Sequence, residues 1–250
     1  LLFVSMLAIV AAMLVAPAPA VAVGEPMKLV FEVNAGDTVS LPLFGTVNAN
    51  VDWDDSTTEN VNSAWWLSHT YANAGEYTVE VTGTVTQFGH CDDYSWSLMK
   101  LRHVLSFGDL GLTSLCGAFA VATDLQSVPA NIPSTVTDTS YMFRSAWRMN
   151  IPNISLWDMS HVTDTSFMFW DAQAFNQPLA DWDVSNVTTM RNMFDHANVF
   201  NQPLADWDVS NVQNMVAMFA NTNEFDQSLN GWDTSNEQTW TLCSSMRRNS

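Results

Sequence analysis

Positive charge is what this chain has least of. Only 8 of its 250 residues are Lys or Arg, against 26 Asp or Glu, for a formal net charge of -18. Nucleic acid and anionic lipid headgroups are repelled by such a surface, so binding to either is excluded. Cysteine is scarce too: Cys91, Cys116 and Cys243 are too few and too scattered for a disulfide framework or a zinc site. One bond, Cys91 to Cys116, remains open in an oxidising compartment. Catalytic motifs are also missing. The five histidines, His69, His90, His103, His161 and His196, sit in unrelated contexts, and there is no Gly-x-Ser-x-Gly, His-Glu-x-x-His or glycine-rich phosphate loop. The polar knot His90, Cys91, Asp92, Asp93 with His103 matches no metal-ligand spacing, and paired carboxylates follow from the acidic composition without indicating a glycosidase. The expectation is a chain that is not an enzyme and needs no cofactor.

What the sequence does have is apolar residues, 47% of the total with 12% aromatic, enough to bury a core. The first 22 residues form an apolar run ending in Ala18-Pro19-Ala20 and Ala20-Val21-Ala22, both suited to signal peptidase. Residues 1–22 are therefore expected to be a signal peptide, N-terminally truncated because no Met or basic stretch precedes Leu1, with a short membrane anchor as the alternative. No cysteine lies near the cleavage region, so a lipid anchor is not expected. Secretion or display at the cell surface follows, with no membrane insertion of the mature chain.

Residues 25–88 alternate β-branched and aromatic with polar residues. Strands are expected at Lys28 to Val33, Thr38 to Leu43 and Tyr77 to Gly83, with turns at Asn34 to Asp37 and Asn73 to Gly75. Val51-Asp52-Trp53-Asp54-Asp55, followed by His69-Thr70-Tyr71 and Gly75-Glu76-Tyr77-Thr78-Val79, resembles the W-D-x-G-D and H-x-Y-x-x-x-G-x-Y-x-V pattern of PKD-type domains. That resemblance implies an immunoglobulin-like β-sandwich with Trp53 and Tyr77 in the core and Gly75 in a turn. The chain departs from the pattern at Ser56, which stands where Gly-Asp is usual. Residues 89–110 are expected to be a linker and N-terminal cap.

The rest of the chain is repetitive. Trp157, Trp182, Trp207 and Trp232 recur every 25 residues, each followed by an aspartate, Asp158, Asp183, Asp208 and Asp233. A second phrase starts at Leu112, Val136, Val162, Val187 and Val212, giving five units. A fixed period of this length points to stacked units, each burying its apolar face against its neighbours. Val187, Met190, Met193, Phe194 and Ala197 fit one face of a short helix capped by Ser185 and Asn186, and Trp182 with Val184 fits a short strand. The phrases WDVSNVT, MF and FNQ resemble the BspA-like leucine-rich-repeat surface proteins. The resemblance implies a mixed β and α/β chain: a leucine-rich-repeat-type solenoid of strand-turn-short-helix units over 111–236, then a divergent or truncated C-terminus at 237–250.

Several columns invite a functional reading. Asp158, Asp183, Asp208 and Asp233 form a row that is either a set of Ca²⁺ sites, helped by Asp181 and Asp206, or a set of caps accepting backbone N–H groups. Asn150, Asn176 and Asn201, with Asp226 next, are expected to satisfy backbone groups inside the turn. The repeated Trp157, Trp182, Trp207 and Trp232, and the pairs Met168-Phe169, Met193-Phe194 and Met218-Phe219, are expected to be core, the Trp row having sugar stacking as its alternative. The positions that differ between the two most alike units, Thr188, Thr189, Arg191 and Asn192 against Gln213, Asn214, Val216 and Ala217, are the candidate binding face. The expected activity is adhesion: an extracellular protein or glycan held by the repeats. The alternatives are a structural surface-layer component or the targeting part of a larger secreted hydrolase.

Overall fold

A computed structural model describes residues 24–91 and 96–235. The expected signal peptide, the divergent C-terminus, Asp92, Asp93 and Cys243 lie outside them. Six strands follow in order: β1 (Met27–Val33), β2 (Thr38–Asp52), β3 (Thr58–Val61), β4 (Trp65–Thr70), β5 (Gly75–Phe88) and β6 (Leu101–Phe107). All pair antiparallel in one sheet of order β3-β2-β5-β1-β6, with β4 also on β2. The three expected strands fall within β1, β2 and β5. Alternation directs their burial: Met27, Leu29, Phe31 and Val33 of β1 face the core with Val79, Val81 and Val85 of β5. The register of β2 against β5 shifts between Phe44 and Val47, where Gly45 takes a φ of +70°.

The two-sheet sandwich implied by the PKD-type resemblance is thus corrected to a single sheet. The tyrosine filling its core is Tyr71, fully buried with its hydroxyl donating to the Trp53 carbonyl at 3.0 Å, while Tyr77 is half-buried. Gly75 opens β5 opposite Val33, and the glycine making a left-handed turn is Gly36, φ +85°. The stretch expected as linker and cap contributes β6, which pairs with β1.

The mixed α/β expectation fails as well. Among the described residues there is no α-helix, only two 3-10 turns, Trp96–Lys100 and Pro152–Leu156. Each 25-residue unit is instead a run of tight turns touching the next through one isolated parallel bridge, in the series Gln87, Ser114, Asp138, Asp164, Thr189, Asn214. The bridge residues lie inside the expected helix, and the expected strand at Trp182 is irregular, closed by a bond from the Trp182 N–H to the Leu179 carbonyl at 3.1 Å.

The backbone explains why no helix forms. In the fourth unit the N–H groups of Met190, Asn192, Phe194 and His196 donate to Asn214, Val216, Met218 and Ala220 of the next unit, at 2.8 to 2.9 Å. Met193 and Ala197 donate within the unit, to Met190 and Phe194. Alternating donors of this kind satisfy the main chain between units rather than along a helix axis. Two left-handed residues per unit make it possible: Gly117, Tyr141, Phe167, Asn192 and Ala217 in one column, Val121, Ser145, Asp171, His196 and Asn221 in the other. No α-helix continues through such residues.

Stacking then builds the core. Phe119, Phe143, Phe169, Phe194 and Phe219 lie over one another with ring centroids 5.6 to 5.9 Å apart, and a second file runs Phe175, Phe200, Phe225. Met168, Met193 and Met218 are buried beside them. The same core continues into the sheet through Phe88 and Phe107, whose rings lie 6.1 and 6.3 Å from Phe119.

Candidate interaction surface

Most of the repeated polar residues are consumed by the fold. Each Asp of the WD column accepts, through Oδ1, the backbone N–H of the serine two residues on, all at 3.0 Å: Asp158 from Ser160, Asp183 from Ser185, Asp208 from Ser210 and Asp233 from Ser235. The hydroxyl and N–H of Ser160 and of Ser210 hold the Asp158 and Asp208 carboxyls below the usual carboxylate range, and the Ser235 N–H with its hydroxyl does the same for Asp233. This is the geometry of the capping alternative.

The asparagine column works between units rather than within one. Oδ1 of Asn176 accepts the Asn201 backbone N–H at 3.0 Å and the Gln202 side-chain amide at 2.9 Å, and Asn150 and Asn201 serve the following units identically. The column is half-buried or exposed rather than inward, and its glutamine partners are legible as the Gln of each FNQ. Asn186, expected as a helix cap, instead donates to the Ser160 carbonyl one unit back at 2.6 Å, as Asn211 does to Ser185 at 2.8 Å.

Trp157, Trp182 and Trp207 are buried and Trp232 half-buried, each donating Nε1 to a carbonyl of the preceding unit: Pro129, Ile154, Leu179 and Leu204 respectively, at 2.8 to 3.0 Å. At 2% to 3% exposed, Trp157, Trp182 and Trp207 offer no face to a sugar, so the stacking alternative is set aside for these three.

The candidate binding face divides. Thr189 and Asn214 are bridge residues; the Thr189 hydroxyl meets that of Ser166 at 2.8 Å, and Asn214 Oδ1 accepts the Val216 N–H. Asn192 and Ala217 occupy the left-handed column. Asn192 turns its amide to Asp195, a carboxylate only 7% exposed that also takes bonds from Trp170 Nε1 and Asn221 Nδ2 and lies 2.7 Å from His196 Nδ1. Thr188, Gln213 and Arg191 are exposed, with the Thr188 hydroxyl donating to the Thr163 carbonyl at 3.1 Å; the Arg191 guanidinium lies over the Phe167 ring at 5.6 Å, and the position one unit on is the half-buried Val216. Phe167 stacks on Tyr141 at 4.5 Å, and Arg144 lies between the Tyr141 and Trp170 rings. The repeats therefore carry an outer strip of aromatic and guanidinium groups that the sequence reading missed. The signal was present in the hydrophobic Tyr141 and Phe167 at a position where other units carry Gly, Asn and Ala.

The other basic residues among those described pair with acids. Lys28 bonds Glu80, Lys100 bonds Asp37, and Arg102 bridges Glu32 and Asp124, which also takes Arg148. Cys91 and Cys116 are joined in a disulfide between the end of β5 and the first unit, Cα atoms 5.2 Å apart. Asp138 lies beside the two sulfurs, yet bonded sulfurs are not the thiolates a metal requires, and its Oδ1 accepts from Ser140. Of the polar knot noted in the sequence, His103 bonds Ser127 and His90 rests on Phe44, while Asp92 and Asp93 lie outside the described residues. Among the described residues no helix is long and apolar enough to cross a membrane.

No curated protein and no solved structure matches the chain. Over residues 137–248 it is similar to a family described as Mycoplasma protein of unknown function, DUF285. That likeness, with units that contain no α-helix among the described residues, overturns the leucine-rich-repeat and BspA-like readings.

Proposed function

We propose that the chain acts by binding, as a secreted or cell-surface interaction protein that holds a protein or glycan partner on the outer face of its stacked units, without catalysis. One observation carries this reading. Bonds between units fix the backbone at equivalent positions, while the side chains there change from one unit to the next: exposed Thr188 to exposed Gln213, and exposed Arg191 to half-buried Val216. A rigid frame with variable exposed groups suits recognition over an extended face. Arg191 and the rings beneath it are of the residue types that anchor interfaces. The outer asparagines, by contrast, are spent on joining units.

The test is capture of the full chain by immobilised extracellular-matrix proteins and by a glycan array, for the wild type and for Arg191→Glu. Retention of one ligand class that weakens at least about tenfold in the variant supports the reading. Equal retention of both chains, or none of either, refutes it.

A further inference from the structure

Trp65 is 70% exposed, more than any other large hydrophobic side chain among the described residues. Counting back from Tyr71, just after β4, the inward row runs through His69 and Leu67 by period two, and Trp65 is its next member, carried past the edge of the core. The connection from β3 to β4 folds beside it and leaves a groove of about 220 Å³. Its walls are Val61, Leu67 and Trp65 on the apolar side and Glu59, Asn62 and Ser63 on the polar side. The polar groups of those three side chains make no hydrogen bond to other described residues, so the fold does not use them.

We infer that this groove is a subsite for one ring of a neutral oligosaccharide, with Trp65 as the stacking platform. A pyranose presents a face of C–H groups that packs on an aromatic ring, and an edge of hydroxyls that needs donors and acceptors. Glu59 supplies an acceptor, Asn62 both kinds of group, and Ser63 a hydroxyl. The volume lies below the about 300 to 1,000 Å³ of pockets for drug-sized ligands, which suits a single ring. No Lys or Arg lines the groove and the chain carries a net charge of -18, so acidic sugars are disfavoured. The site is on the sheet, and it stands whether or not the repeats bind a partner.

Chitohexaose and cellohexaose titrated against the full chain, followed by tryptophan fluorescence and calorimetry, test the assignment, with heparin as the acidic comparison. Saturable binding of one neutral hexamer, weakened at least about tenfold in Trp65→Ala, partly kept in Trp65→Tyr, and absent for heparin, is the expected result. The exposed ring makes an unchanged melting temperature expected for both variants. Failure of both hexamers to bind, binding undiminished in Trp65→Ala, or stronger binding of heparin overturns it.

Discussion

The indole Nε1 of Trp207 donates to the carbonyl oxygen of Leu179, in the preceding unit, at 2.8 Å. A buried tryptophan therefore does two things at once: it fills the core and adds a second, inter-unit bond to a carbonyl that already accepts the Trp182 N–H of its own unit. Trp207→Phe keeps most of the apolar surface and removes the donor while the Leu179 carbonyl keeps its bond from the Trp182 N–H, and is expected to cost about 0.5 to 1.5 kcal/mol, the net worth of one hydrogen bond. Trp207→Ala adds a cavity, for about 3 to 5 kcal/mol. Urea unfolding followed by fluorescence measures both; a neutral Trp207→Phe would show that the bond contributes nothing.

Through its side chain Asn176 offers the next unit its Oδ1, accepting from Asn201 and Gln202, and its backbone carbonyl also accepts the Gln202 amide at 3.2 Å. Asn176→Asp keeps that acceptor, and Asp226 already stands in this column, so little change is expected. Asn176→Ala leaves the Asn201 N–H and the Gln202 amide without it, for about 1 to 3 kcal/mol. Comparing the two denaturation midpoints separates loss of the acceptor from loss of the side chain.

Burial holds the Asp164 carboxyl above the usual range, with Asp138 adding to the effect and Ser166 opposing it. The folded chain therefore binds this proton more readily than the unfolded chain, and stability falls as pH rises from the unfolded pKa through the folded one. Asp164→Asn keeps an acceptor for the Ser166 N–H, as Asn214 does for Val216. It is expected to be more stable than the wild type at pH 7, with the gain gone below roughly pH 3. Midpoints at the two pH values decide. Asp158, Asp208 and Asp233 run the other way: their lowered pKa values give stability that is present above the unfolded pKa and is lost as pH falls through the folded one.

One column of left-handed residues predicts opposite effects for related changes. At Gly117, φ +67°, a Cβ would sit 2.3 Å from the His90 carbonyl oxygen, so Gly117→Ala is expected to cost about 2 to 3 kcal/mol or more. Ala217 has φ +55°, and Ala217→Gly relieves its strain for a gain of up to about 1 kcal/mol. Thermal unfolding of the pair checks both signs.

Because each WD aspartate already accepts its serine N–H, the melting temperature is expected to be the same in EDTA and in millimolar Ca²⁺. A rise with Ca²⁺ would assign the column to the cation instead.

The repeat was legible because Trp, Phe and Met recur at a fixed spacing, and their burial follows from side-chain chemistry alone. The helix was misread for a physical reason. Val187, Met190, Met193, Phe194 and Ala197 face inward at intervals of three and four, and turns closed by i to i+3 bonds produce the same intervals as a helix. Only the left-handed Asn192 and His196 separate the two, and neither is a residue that announces itself as glycine does. In the sheet, the Tyr pair was legible while the assignment within it was not. Tyr71 and Tyr77 stack 4.1 Å apart, and which of them is covered depends on the path of β4 and β5. The outer strip of Tyr141, Phe167 and Arg191 escaped because exposure of an aromatic ring depends on the direction its turn takes, which no spacing encodes.

The parallel bridges begin on the sheet, at Gln87 of β5 and His103 of β6, and pass outward unit by unit to Asn214. The sheet is therefore a template: it presents an already ordered edge on which the first unit lays its backbone, and each unit becomes the edge for its successor. Ordering such a file costs loop entropy once, at the start, after which growth is local. Amide exchange should accordingly slow from the last unit toward the sheet, a gradient along the chain in place of one uniform protection factor.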